Sequence, residues 1–252
     1  MCSSDLSTPT ATTMRTATTT TTTTTMATAR TAIRTTTDAP RTAMIDYIRD
    51  PQEITRRSFA AVRAACDVSA LPPGLAEMAL RLVHACGMPD IVADLVASPG
   101  AAAKGRQALR DGAAILCDAQ MVAHGITRSR LPAANRVICT LDAPSVAEDA
   151  RATGTTRSAA AVAAWRPHLA GAIIAIGNAP TALFRLLEEL DAGAPKPALI
   201  LGFPVGFIGA AESKAELARD SRGVPFVALK GRRGGSALAA AAVNALAGDS
   251  PP

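Results

Sequence analysis

Five short apolar runs in the second half of the chain restrict its fold more than any other feature. They occupy residues 114–117, 136–139, 172–176, 198–201 and 225–229, and each is bounded by turn-forming residues. Runs of four or five residues without polar alternation suit strands buried on both faces, and the segments between them are long enough for crossover helices. The expected architecture is α/β: an open sheet of about five parallel strands flanked by helices, with further helices at the amino-terminal end. Ligands of such sheets bind beyond the carboxyl ends of the strands. Those ends are residues 118–121, 140–142, 177–181, 202–207 and 231–236, several of them rich in glycine and proline, which would line one face.

The first 43 residues have a different character. Threonine dominates, residues 18–25 are all Thr, and apolar residues that could form a core are scarce, so 1–43 is read as a disordered extension and 44–252 as one domain. The extension carries Arg15, Arg30, Arg34 and Arg41 against Asp5 and Asp38. That acid-poor pattern is shared with transit peptides, but no amphipathic stripe accompanies it. A dispensable extension fits as well, with Met44 opening the folded part. Without these residues the formal net charge falls from +5 to +3. The remainder is only mildly basic and poor in aromatic residues, which argues against nucleic acid as a partner. No apolar run reaches the roughly 18 residues of a membrane span. The five cysteines, Cys2, Cys66, Cys86, Cys117 and Cys139, show no C-x-x-C spacing and read as thiols of a reducing compartment, the cytoplasm.

Before the strands, Ile54, Phe59, Val62, Ala65 and Cys66 recur at helical spacing. A second helix is expected after Pro72-Pro73, with Leu75, Met78, Ala79, Leu82 and Val83 on one side and Gly87 as its cap. His84 falls in the last turn of that helix, where the negative end of the macrodipole stabilises a protonated imidazole. It suits a proton donor; a histidine capping the last carbonyls would have the same spacing. His84-x-Cys86 offers two metal-ligand types, but His124 and His168 stand at no metal-like distance from them, so no metal site is expected.

Among the loops, Thr155 or Thr156 can cap an alanine-rich helix at about 159–165. The amides of that helix start, with the Arg157 fork, would receive a carboxylate or phosphate as readily as they would form a plain cap. Asn178, before Pro180, can cap the next helix or meet a ligand. The loop 231–236, with Gly234, Gly235 and Ser236, could bring its backbone close to an anion, although it matches neither G-x-G-x-x-G nor a P-loop. Glu212, Ser213 and Lys214 read as part of a solvated helix face. No G-x-S-x-G supports a serine nucleophile.

Taken in order, a further set of strings is more specific: Tyr47-Ile48-Arg49-Asp50-Pro51, Arg57-Ser58-Phe59, His84-Ala85-Cys86-Gly87, Ile115-Leu116-Cys117-Asp118, Gly125-Ile126-Thr127-Arg128, Val137-Ile138-Cys139-Thr140, Thr155-Thr156-Arg157-Ser158-Ala159, Gly177-Asn178-Ala179-Pro180-Thr181-Ala182-Leu183-Phe184, Gly202-Phe203-Pro204-Val205-Gly206-Phe207, Ala210-Ala211-Glu212-Ser213-Lys214 and Gly234-Gly235-Ser236. From about Tyr47 to Ala247 the chain closely resembles the precorrin-8X methylmutases and their cobalt-precorrin relatives.

The resemblance implies a flavodoxin-like core, a homodimer, and an isomerase that moves a methyl group from ring carbon 11 to ring carbon 12 of precorrin-8X to give hydrogenobyrinate, without an external methyl donor or a cofactor. It places the family's active-site histidine on His84. The substrate carries many carboxylates, so Ser58, Arg128, Thr155, Thr156, Arg157, Asn178, Gly234, Gly235 and Ser236 are candidate anchors. Hand-over of the pigment to neighbouring corrin-pathway enzymes would follow. The competing expectation is a corrinoid carrier without chemistry. Metal-free and cobalt-containing substrates are equally compatible with these residues.

Overall fold

A computed structural model describes residues 45–248. The threonine-rich extension, Cys2 and the start expected at Met44 lie outside the described residues.

Helix α1 (Pro51–Ala65) begins where the Asp50 carboxylate accepts the amides of Gln52 and Glu53 and proline takes the first turn, and it buries Phe59. Helix α2 (Pro73–Cys86) buries the expected stripe of Leu75, Met78, Ala79, Leu82 and Val83. Gly87 ends it with φ 69°, its N–H returning to the Val83 carbonyl at 2.7 Å, as the αL cap requires. A turn of 3₁₀ helix (Pro89–Asp94) then leads into β1 (Leu95–Ala97).

From there strand and helix alternate: α3 (Ala101–Arg110), β2 (Ile115–Cys117), α4 (Gln120–Gly125), β3 (Val137–Cys139), α5 (Val146–Ala152), α6 (Arg157–Ala163), β4 (Ile173–Ile176), α7 (Pro180–Asp191), β5 (Leu199–Gly202), α8 (Ala210–Arg219), β6 (Phe226–Leu229) and α9 (Ser236–Ala247). All five expected runs form parallel strands. The sheet order is β1-β6-β5-β4-β2-β3, and β1 pairs antiparallel with β6, Leu95 opposite Leu229. β1 was not anticipated, because three residues carry no readable period. Numbering the five parallel strands alone gives the order 2-1-3-4-5, the flavodoxin-like arrangement.

The sheet separates two apolar layers. Along β4, Ile173 and Ala175 join the layer that contains α2 and α9, and Ile174 and Ile176 join the one containing Trp165 and α7, as the two-residue pleat dictates. Strands buried on both faces explain why the runs lacked polar alternation.

Candidate active site

The strand order reverses between β2 and β4, and the crevice beyond their carboxyl ends is the natural ligand position of such a sheet. Asp118 follows β2 directly and is buried. Its carboxylate accepts the amides of Gly177, Asn178 and Ala179, at 2.8 to 2.9 Å, from the turn that leads from β4 into α7. Burial raises the Asp118 pKa above the ordinary carboxylate range, and the three amides pull against that rise. The amino-terminal amides before α7, an anion site in many proteins, are therefore already held by a side chain of the protein itself.

Beside this plug the starts of α6 and α7 meet. Thr156, rather than Thr155, caps α6: its Oγ1 accepts the Ala159 amide at 3.2 Å and lies 2.8 Å from Thr181 Oγ1. The helix starts at Arg157, two residues earlier than expected. Arg157 does not stand alone; its guanidinium donates to Asp142 at 3.1 Å and to the Leu141 carbonyl at 3.2 Å, both beyond β3. Gln120 donates to the other Asp142 oxygen. Thr155 lines a neighbouring cleft of about 740 Å³ with Thr153, Thr181, Phe184 and Arg185. Asn178 caps nothing with its side chain; the residue preceding α7 is Ala179.

The glycine-rich loop after β6 closes on the same edge. A side chain at Gly234 would run into the backbone carbonyls of Phe203 and Pro204, and one at Gly177 would meet the Ser236 Cα at 2.7 Å. The loops after β4, β5 and β6 thus touch through backbone that only glycine permits. Lys214 corrects the expectation of a solvated α8 face: it and Ser213 are buried, and the Lys214 ammonium donates to the Arg233 carbonyl. Burial lowers its pKa to about 8. The Arg233 guanidinium pairs with Asp90 and Asp94.

His84 is exposed on the last turn of α2 and stacks on Phe59 of α1, ring centroids 4.6 Å apart and planes 18° apart. The chain passes from α2 through Pro89–Asp94 to β1, whose first residue pairs with the carboxyl end of β6. His84 therefore stands at the edge of the sheet that carries the loops. Half-buried Ser58 precedes Phe59. Arg128 is exposed in a short turn beyond α4, where the Thr127 amide donates to Asn244 Oδ1 of α9.

Thr155, Thr156, Arg157, Asn178 and 234–236 thus gather at the strand ends, His84 and Ser58 belong to the paired helices α1 and α2, and Arg128 stands on the turn after α4, its charge felt by Cys117 at the end of β2. Asp118, Asp142 and Lys214 were not among the candidate site residues, although the first two lie in the expected strand ends. Asp118 did carry a signal, an acidic residue set directly after a buried strand, but the strand order that gives it meaning is not written locally. Among the described residues, no group of three or more His, Cys, Asp or Glu side chains is arranged to hold a metal ion. Cys66, Cys86, Cys117 and Cys139 are free thiols, and burial pushes Cys117 and Cys139 upward, away from the reactive thiolate.

The family model for precorrin-8X methylmutase matches residues 53–248. A precorrin-8X methylmutase of Pseudomonas aeruginosa is 68% identical over 204 residues, covering 81% of this chain and 98% of that protein. One from Sinorhizobium is 58% identical, with 80% and 96% covered. A cobalt-precorrin-8 methylmutase of Priestia megaterium is 33% identical, with 82% and 91% covered. The crystal structure of the precorrin-8X methylmutase from Thermus thermophilus superposes with a TM-score of 0.70 at 39% identity, covering 77% of this chain and 94% of that one. With its strand order, its loop-lined edge and this extent of likeness, the chain belongs to the precorrin-8X methylmutase family.

Proposed function

We propose that His84 is the proton donor of this methylmutase, and that the glycine-rich edge holds the macrocycle while a methyl group moves from ring carbon 11 to ring carbon 12, converting precorrin-8X to hydrogenobyrinate. The chain is an isomerase of cobalamin biosynthesis by its family. The observation that carries the assignment of the acid is the position of His84: exposed, at the carboxyl end of α2, stacked on Phe59, and shortly before Asp90, which pairs with Arg233 of the loop after β6.

The chemistry asks for two things. Protonating the conjugated ring withdraws electron density and favours the sigmatropic shift, and general acid assistance of this kind supplies roughly 10²- to 10⁴-fold in rate. Stacking on Phe59 fixes the plane of the imidazole. The remaining acceleration comes from holding the ring in one orientation. Its acetate and propionate groups would be received by Ser58, Arg128, the Thr155–Thr156–Arg157 turn, Asn178 and the backbone of 234–236. The Arg157 pairing with Asp142 is solvent-exposed, a weak interaction that a substrate carboxylate can displace.

A homodimer in the cytoplasm, passing its pigment to the next corrin-pathway enzyme, completes the reading. The exposed Val205, Phe207 and Ile208 beyond β5 support a partner surface there, and four free thiols suit a reducing compartment.

An ultraviolet–visible time course with precorrin-8X, wild type against His84→Ala, tests the assignment. Wild type is expected to develop the hydrogenobyrinate spectrum and His84→Ala to bind the pigment with conversion slowed at least roughly 100-fold. Full turnover by the variant would remove His84 from the mechanism, and binding without conversion by wild type would make the protein a carrier.

A further inference from the structure

The buried ammonium of Lys214 has no part in the proton transfer or in the candidate carboxylate contacts, yet it lies beneath the loop that supplies some of them. Its Nζ donates to the carbonyl of Arg233, the residue before Gly234. The same Arg233 reaches outward with its guanidinium to Asp90 and Asp94, in the turn that joins α2 to β1. Backbone bonds close the arrangement on two sides: the Lys230 amide donates to the Asp94 carbonyl at 2.9 Å, and the Gly235 amide to the Phe203 carbonyl at 2.8 Å. One arginine is thus held at its carbonyl from below and at its side chain from the segment that follows His84.

We propose that Lys214 and Arg233 are positioning residues of the methylmutase, forming a clasp that fixes the 231–236 loop relative to the helix end bearing His84. The proposal rests on the reading of that loop as a receiver of substrate carboxylates. Burying an ammonium whose hydrogen bond goes to a carbonyl is costly, and the nearby Asp94 carboxylate offsets only part of that cost, as the depressed pKa of Lys214 records. A methionine would fill the same space without that cost. Fold stability alone gives no reason for a lysine here, whereas holding one loop residue at a fixed height does.

The two ends of the substrate site move independently if the clasp is opened. Displacement of a positioned group by about 1 Å costs on the order of 100-fold in rate. Steady-state kinetics with precorrin-8X and thermal melts would therefore be measured for wild type, Lys214→Met, Arg233→Gln and the double variant. The expected result is cooperative melting in every variant, KM raised about tenfold and kcat lowered in each single variant, and a double variant no worse than the poorer single one, since both substitutions open the same clasp. Arg233→Gln changes a surface side chain and keeps the test open should Lys214→Met fold poorly.

Wild-type kcat and KM in Arg233→Gln and in folded Lys214→Met overturn the proposal, as does a loss confined to the active fraction with KM unchanged. A wild-type protein that fails to convert precorrin-8X overturns the functional reading instead, since that outcome does not depend on the clasp.

Discussion

Asp118 shows what one side chain contributes to an active-site edge. Its two oxygens satisfy three amides that would otherwise point into a crevice with no acceptor, and an unsatisfied buried donor costs about 1–3 kcal/mol. Asp118→Ala is expected to lower the unfolding free energy by at least about 2 kcal/mol, read by urea denaturation, and to raise KM because the turn carrying Asn178 loses its anchor. Asp118→Asn retains one acceptor oxygen and should fall between the two. At this scale, legibility followed sequence distance. The Gly87 cap, and with it the place of His84 in the last turn of α2, was readable because a cap acts within one helical turn. Asp118 was not, because its partners lie 59 to 61 residues further on. The preference for Thr156 over Thr155 as the cap depended on which hydroxyl faced Ala159, a choice the two adjacent threonines leave open until the backbone is placed.

At the level of the element, α8 departs most from the sequence reading. Glu212, Ser213 and Lys214 look like a polar face, yet the helix buries Ser213 and Lys214, the latter against the loop after β6, while Glu212 stays outside. Periodicity gives the direction of a side chain around its helix and is silent about a carbonyl waiting at that spot. The burial leaves a signature in pH. The Lys214 pKa falls from 10.5 to about 8 on folding. Below pH 8 the lysine is charged in both states and the cost of burying it is present in full. Between about 8 and 10.5 the unfolded chain binds more protons than the folded one, so this residue's contribution to stability rises with pH. Denaturation midpoints of wild type and Lys214→Met, compared from pH 7 to 10.5, should converge on the wild-type side as the pH climbs; parallel curves would contradict the burial. The strands were the most legible elements, because runs buried on both faces need no partner to be recognised. β1 was the least, being three residues whose strand character comes only from β6.

For the molecule as a whole, the order of the parallel strands brings five sequence-distant loops to one rim, and antiparallel β1 ties the segment after α2 to the carboxyl end of β6. The family likeness covers residues 53–248, so deletion through Ala43, leaving Met44 first, is expected to preserve kcat and KM within about twofold, roughly the ±0.5 kcal/mol of changes made away from packed features. A large loss in the truncated protein would give the extension a role. Light scattering should return twice the chain mass, and Phe207→Glu with Ile208→Glu should return a single chain if their exposed apolar surface seats the second copy.

The internal carboxylate at the sheet's switch point has a cellular meaning. Open sheets of this order lend that socket to phosphate-bearing cofactors. By filling the socket with Asp118, this protein closes it to phosphate, and under the proposed function the rim is left to a carboxylate-rich pigment.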